Sequence, residues 1–220
     1  MPHLARRVAP LAASFALLLA AAGCGDGSPT SAGPTGRLVV QLTDAPFPYD
    51  QVSRVDVFVV RADAKREDTD EASAATRVGD DDKGADGWVT IAEPKAKIEL
   101  TALRDGVTTA LGTATLPAGT YRAFRLVIDP AQSSVTLKDG TVLPGTTGAS
   151  TTPGVVFPSA GRSGVKIKLD RPVTVPATAE GTTPPTLLID FDLNDSFEQR
   201  GSSLSRNGLL FKPGIKATPR

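Results

Sequence analysis

Apolar and polar residues alternate with a period of two along several short runs of this chain, and this pattern constrains the fold more than any other feature. The run "GVKIKLD" at positions 164–170 shows it most clearly, with Val165, Ile167 and Leu169 alternating with Lys166, Lys168 and Asp170. Similar runs occupy positions 37–43, 54–60 and 186–193. A strand that packs one face on a core and exposes the other to water has this period. The sequence therefore predicts an all-β fold.

Glycine-containing turns separate the predicted strands. They read "RDG" at 104–106, "PAG" at 117–119, "KDG" at 138–140 and "RNG" at 206–208. Glycine suits such tight turns because it accepts a positive φ without strain. Many short strands separated by turns predict a sandwich of two sheets. One apolar residue from each of five runs is predicted to lie in its core: Leu38, Val57, Phe124, Ile167 and Phe191.

The amino-terminal residues follow the order of an export signal. Arg6 and Arg7 give a basic start, residues 8–19 form a short apolar run, and residues 20–23 are all small. The apolar run is shorter than the roughly 20 residues that a membrane-spanning helix needs. We therefore interpret residues 1–23 as a signal peptide.

The only cysteine, Cys24, directly follows these small residues. The sequence up to Gly23-Cys24 resembles the lipobox of bacterial lipoproteins. That resemblance implies cleavage after Gly23, a diacylglycerol on the Cys24 sulfur and attachment of the mature protein to a membrane at the cell envelope. An ordinary signal-peptidase cleavage, with Ala20 and Ala22 flanking the site, is the alternative.

Cleavage after residue 23 restricts the chemistry of the mature protein. It leaves 220 − 23 = 197 residues and removes His3, the only histidine. A lipidated mature chain then has no imidazole and no free thiol, which excludes Ser-His-Asp and Cys-His nucleophile systems and zinc sites built on His or Cys. It keeps 24 acidic and 24 − 2 = 22 basic residues, so its charge gives no reason to expect a nucleic-acid partner.

Composition divides the rest of the chain into three parts. Residues 24–36 are rich in Gly, Ser, Thr and Pro, which predicts a flexible tether. Residues 37–217 carry the strand pattern and form the predicted β-sandwich domain. Within it, residues 63–86 hold nine carboxylates and few large apolar residues. This segment is interpreted as a solvated acidic loop insertion, with a calcium-binding loop as the alternative.

A second group of carboxylates lies in "DFDLND" at positions 190–195. Asp190 and Asp192 are two residues apart on a predicted strand, so both are expected on one face, and Asp195 follows closely. Three interpretations stay open: an ordinary polar strand face, a calcium site formed by these three aspartates, and an acid/base carboxylate pair. No residue is assigned a catalytic role, and calcium is the one cofactor left open.

Five segments together resemble a known family. They are "LTDAP" (42–46), "LPAGTYRAFRLVID" (116–129), "SGVKI" (163–167), "IDFDLNDSF" (189–197) and "LLFKPGIKA" (209–217). They resemble a bacterial and archaeal secreted family known as domain of unknown function 4382. The resemblance implies a secreted, often lipid-anchored β-sandwich without established catalytic residues.

The phrase "LPAGTY" also resembles the turn before a strand in transthyretin-like and immunoglobulin-like domains. In those domains the glycine makes the corner and the tyrosine packs over the edge of the sandwich. The resemblance therefore implies an immunoglobulin-like or transthyretin-like β-sandwich, in which Tyr121 has a structural role.

These observations predict a membrane-anchored bacterial lipoprotein that carries a non-catalytic binding or structural module. Its expected partners are the membrane, through Cys24, and an envelope protein or extracellular polymer. The alternative is a carboxylate- or metal-dependent hydrolase of envelope or extracellular polymers.

Overall fold

Two long antiparallel strands, β2 (Val52–Arg66) and β6 (Gly119–Leu137), form the spine of the molecule. They pair over most of their length. Register shifts along this pairing mark bulges, each of which places an extra residue in one of the two strands. β2 also pairs with β3 (Trp88–Ala92) and β4 (Ala96–Glu99) on its other edge. A short 3-10 helix, Leu100–Ala102, follows β4.

The computed structural model describes residues 33–44, 50–67, 87–148, 153–158, 160, 163–178 and 182–220. The predicted signal peptide, Cys24, most of the tether and most of the acidic insertion lie outside these residues. In the described part of the chain no helix has the length and apolar character to span a membrane.

A second group of strands surrounds β11 (Thr186–Asp190). β11 pairs in parallel with β1 (Thr35–Thr43) and antiparallel with β14 (Lys216–Pro219). β5 (Thr109–Pro117) pairs with the other edge of β1. β9 (Val165–Leu169) pairs with both β14 and β6, and so joins this group to the spine.

Short elements complete the fold. β7 (Val142–Thr146) forms a hairpin with β6, and β10 (Val173–Val175) pairs with the start of β6. β8 (Val155–Val156), β12 (Phe197–Gln199) and β13 (Leu209–Phe211) form a small sheet that continues from β7. The helices α1 (Leu193–Ser196) and α2 (Leu204–Asn207) have one turn each.

The core confirms the predicted phase of the strands. The five predicted core residues are all at most 6 % exposed, whereas Lys166 and Lys168 on the opposite face of β9 are exposed. The two groups of strands also approach each other directly, since a Cβ at Gly112 of β5 would lie 3.3 Å from the Ala92 Cβ of β3. The all-β sandwich predicted from alternation is therefore confirmed.

The structure corrects two predicted boundaries. β1 begins at Thr35, inside the predicted tether, and Gly36 is buried against Pro176, where a side chain would clash. β2 continues to Arg66, so the predicted acidic insertion cannot begin at Asp63. Composition placed both boundaries wrongly, because Gly, Thr and charged residues are typical of loops even where pairing with a neighbouring strand holds them in a sheet.

Candidate functional site

Three of the five family-like segments meet where β1 and β11 end. The two strands are parallel, with Thr43 paired with Asp190, and the carboxyl ends of parallel neighbours lie at the same edge. Asp190 is also paired with Lys216 of the antiparallel strand β14. We call the charged residues at this edge, Asp44, Asp190, Asp192 and Lys216, the carboxylate cap.

Asp44 connects segments that are 149 positions apart in the chain. Its side chain is buried, and its Oδ1 accepts a hydrogen bond of 3.3 Å from the backbone N–H of Leu193. Beside it, the N–H of Phe191 donates to the carbonyl oxygen of Thr43 at 3.1 Å. Residues 45–49, which follow Asp44, lie outside the described part. The long-range contact to Leu193 was not predicted, because nothing in "LTDAP" specifies it.

Asp192 begins α1. Its Oδ1 accepts a hydrogen bond of 3.2 Å from the backbone N–H of Asp195, which is the usual role of an aspartate at the N-cap. Its Oδ2 lies 3.8 Å from Nζ of Lys216. The prediction that Asp190 and Asp192 share one strand face is wrong, since β11 ends at Asp190 and the chain turns into α1 there.

Asp190 has the least satisfied carboxylate of the cap. Its Oδ1 is buried and has no hydrogen-bond partner among the described residues. Burial raises the pKa of Asp190 above its ordinary value, and the nearby negative charge of Asp192 raises it further, while Lys216 opposes both effects. This carboxyl therefore holds its proton more tightly than a solvated aspartate does.

The third segment, 209–217, closes over α1. The backbone N–H of Lys212 donates to the carbonyl oxygen of Ser196 at 2.8 Å, and that of Gly214 donates to Oγ of Ser196 at 3.1 Å. Gly214 has no room for a side chain, because its Cβ would lie 2.7 Å from the Cβ of Asp195. The backbone of this segment thus fixes the position of α1.

The predicted calcium ligands Asp190, Asp192 and Asp195 have different surroundings. Asp190 is partly buried, Asp192 caps α1, and the side chain of Asp195 is exposed. Within the described ranges, no group of three or more His, Cys, Asp or Glu residues is arranged to hold a metal ion. Calcium binding by these three aspartates stays a prediction.

An aromatic cluster lies beneath the cap. The ring of Phe211 is 5.7 Å from that of Phe191, 5.3 Å from that of Phe197 and 4.9 Å from that of Phe157. All four rings are buried, which is the environment in which aromatic pairs contribute most to stability. These rings anchor the cap to the core.

A second buried carboxylate, Asp63, lies on the spine. Its Oδ2 accepts a hydrogen bond of 2.9 Å from Nε of Arg125, and its Oδ1 accepts bonds of 3.1 Å from Nε of Arg61 and from Oγ1 of Thr90. Asp63 is 2 % exposed. We call these four residues the Asp63 network. The prediction that residues 63–86 form an acidic loop missed this network, although Ala62 and Ala64 alternate with the charged residues of "RADAK" as in a strand.

Arg125 extends the Asp63 network toward two neighbouring elements. Its guanidinium carbon lies 4.4 Å from the centroid of the Trp88 ring, a cation–π contact. Its Nη1 donates to the carbonyl oxygen of Ser163 at 3.3 Å. Trp88, at the start of β3, therefore packs against the Asp63 network.

Tyr121 has the corner geometry that the resemblance of "LPAGTY" implied. Its ring is fully buried, and its hydroxyl donates to the carbonyl oxygen of Pro117 at 2.8 Å. Burial raises the pKa of Tyr121, and the charge of Arg66 acts in the opposite direction. This tyrosine closes the turn between β5 and β6, which is a structural role.

A shallow cleft lies elsewhere on the surface. It has a volume of about 270 Å³ and is lined by Asp50, Gln51, Leu137, Lys138 and Asp139. None of these residues belongs to the carboxylate cap or to the Asp63 network. The cleft therefore adds no group to either.

Comparisons with known proteins identify a family for the chain. A family model described as "Domain of unknown function (DUF4382)" matches residues 35–213, which include all five segments except the last four residues of the fifth. Neither the curated proteins nor the solved structures gave a significant match. Because the match covers most of the sandwich from β1 to the end of β13, the chain belongs to the DUF4382 family.

Proposed function

We propose that the protein is a bacterial lipoprotein whose β-sandwich is a non-catalytic binding or structural module at the cell envelope. The signal-like residues 1–23 and the lipobox-like Gly23-Cys24 support export and lipid attachment. The tether after Cys24 supports display of the sandwich away from the membrane surface, since Gly- and Ser-rich linkers behave as flexible coils.

One observation favours a structural or binding role over hydrolysis. Of the predicted acid/base pair, Asp192 lies beyond the end of the strand that carries Asp190 and accepts a hydrogen bond from the backbone N–H of Asp195. The neighbouring Asp44 accepts one from the backbone N–H of Leu193. A carboxylate oxygen that accepts a hydrogen bond from a backbone N–H in this way fixes the chain around it. The cap therefore fits a device that holds α1 and its flanking chain in place.

The function of such a device is to present a fixed surface. Sandwich loops and sheet faces bind partners without chemistry when their side chains are held by a rigid scaffold. An envelope protein or an extracellular polymer fits this role, because both are within reach of a domain tethered to the membrane surface.

Metabolic labelling tests the anchor. Cells that produce the wild-type chain with labelled palmitate are expected to incorporate label into it, and Cys24→Ser is expected to abolish the incorporation. The matched control is Ser28→Ala, which changes a nearby tether hydroxyl and should leave labelling intact. Absence of label in the wild type would overturn the lipoprotein proposal.

A further inference from the structure

The outer face of the spine carries more positive than negative charge. Asp63 is paired with Arg125, and Arg125 with Lys166, in register across β2, β6 and β9. Directly opposite residues in antiparallel strands lie on the same face. Including the flanking positions on β2 and β9, this face holds five cations around the buried Asp63: Arg61, Lys65, Arg125, Lys166 and Lys168. Asp129, four residues beyond Arg125 on β6, lies on the same face at its other end. We call these five cations the basic face.

A small residue lies in the middle of this charge. Ala123 on β6 is paired with Lys65, and Lys168 follows Ile167, the β9 partner of Phe124. With neighbouring strands about 4.8 Å apart, β2 and β9, which carry Lys65 and Lys168, lie about 10 Å from each other on either side of β6. On β6, between these two strands, Ala123 contributes only a small side chain.

The lysines of the basic face have no acidic partner in the described part of the chain. Lys166 and Lys168 are exposed, and neither they nor Lys65 forms an ion pair there. Asp63 neutralises only the two arginines, through their Nε groups. Acids border the face instead, with Asp170 bonded to Thr218 and Asp192 beside Lys216. The lysine charges are therefore available to an anionic partner.

The shape of the face favours a chain-like partner. The cations are spread over three adjacent strands on an open surface, about 7 Å apart along β9, so a compact anion could meet only a few of them. Trp88 lies at one end of the row, paired with Lys65. The Arg125 guanidinium lies over this ring, so the face offers a partner its charged side chains more than its aromatic surface.

We propose that the basic face binds an acidic polysaccharide, with its carboxylates between Lys65, Lys168 and Lys166. This inference rests on the proposed function, which places the sandwich where such polymers occur. Recognition is mainly electrostatic, because the face offers one tryptophan and no aromatic platform. The affinity is therefore expected to fall as salt shortens the range of the charges, which is about 3 Å at 1 M ionic strength.

The test measures retention of the full chain, in detergent micelles, on immobilised polygalacturonate at about 50 mM salt and at about 1 M salt. The wild type is expected to bind at low salt and elute at high salt. Lys65→Glu/Lys168→Glu should weaken binding by at least about tenfold, since two attractive charges become repulsive. The matched control, Lys138→Glu/Arg206→Glu, makes the same change in net charge in the turn after β6 and in α2, outside the basic face, and should stay within about twofold of the wild type.

Three outcomes would overturn the proposal. They are no retention of the wild type, an equal loss in the control variant, and tighter binding to duplex DNA than to polygalacturonate. Neutral dextran should retain none of the proteins. Palmitate labelling of Cys24 is independent of these measurements, so failure of polymer binding is distinguishable from failure of the anchor.

Discussion

The carboxylate cap and the Asp63 network both bury aspartates, but they stabilise them with different partners. In the cap, Asp44 and Asp192 accept hydrogen bonds from backbone N–H groups, and their effect is to fix the chain around α1. In the network, Asp63 accepts from two arginines and a threonine on three strands. The first arrangement holds a loop in place, whereas the second holds strands together and leaves a surplus of positive charge on the surface.

This difference predicts how each region fails. Loss of a backbone acceptor leaves a neutral N–H unpaired, which costs less than leaving a charged group unpaired. Removal of Asp63 would leave two partly buried guanidinium groups without their anion. The variants below test that distinction, and they start from the aromatic cluster beneath the cap.

Phe191→Ala should have the largest effect. The ring is fully buried and stacks on Phe211 at 5.7 Å, so its removal leaves a cavity under the cap. We expect a loss of about 3–5 kcal/mol in the free energy of unfolding, measured by urea denaturation. Lys168→Ala, on an exposed strand face, should change it by less than about 0.5 kcal/mol. If Phe191→Ala lowered the free energy of unfolding as little as Lys168→Ala does, the ring would not support the cap.

Asp63→Ala should have the next largest effect. Arg61 and Arg125 are 27 % and 18 % exposed at the side chain, so water screens part of the charge left behind. We expect a loss of about 2–4 kcal/mol, below that of a fully buried pair. The double variant Asp63→Ala/Arg125→Ala should lose less stability than the sum of the two single variants. A double-mutant cycle measures this difference. If the double variant lost the sum of the single losses, the two residues would not be coupled.

Asp44→Ala should cost less, about 1–2 kcal/mol, because one buried N–H loses its acceptor. The sharper measurement is amide hydrogen exchange at Leu193, which should accelerate as its bond to Asp44 is lost. Asp195→Ala removes an exposed side chain from the same segment and should leave that amide protected. Unchanged exchange at Leu193 in Asp44→Ala would argue against the long-range contact.

Calcium tests whether the cap also binds a cation. The sequence predicts a weak site with a dissociation constant of about 10⁻⁴–10⁻³ M at Asp190, Asp192 and Asp195. Calcium at about 2 mM should then stabilise the wild type by about 1 kcal/mol, seen as a thermal shift. Asp190→Asn/Asp192→Asn should show no shift. A wild type that is insensitive to calcium would leave the cap with its structural role alone.

The smallest effect is expected from Asp190→Asn, and it should depend on pH. The folded-state pKa of Asp190 is raised, so the folded protein binds this proton more tightly than the unfolded chain does. Its contribution to stability is fully present below the ordinary aspartate pKa and is lost as pH rises through the raised folded-state pKa. As pH rises through this raised pKa, the wild type should therefore lose stability that Asp190→Asn keeps. Urea denaturation over a pH series measures this loss, and a difference that does not change with pH would contradict the expectation.

Several features of the protein could be predicted from the sequence because they depend on local pattern. Alternation in "GVKIKLD" placed Val165 and Ile167 inside and Lys166 and Lys168 outside, as the structure confirms. The corner at Tyr121 followed from a short phrase in the same way. Each of these depends on residues that are neighbours in the chain, so no knowledge of strand order was needed.

Other features depend on which strands become neighbours, and only the tertiary structure decided them. Asp44 contacts Leu193 because β1 and β11 pair in parallel, and Asp63 is buried because Arg125 and Thr90 lie opposite it. Lys65 and Lys168 lie on one face only because β6 lies between their strands. Alternation fixes which side chains share a face, but strand order is set by the packing of the whole core. The composition of a segment cannot reveal which distant charge will compensate its own.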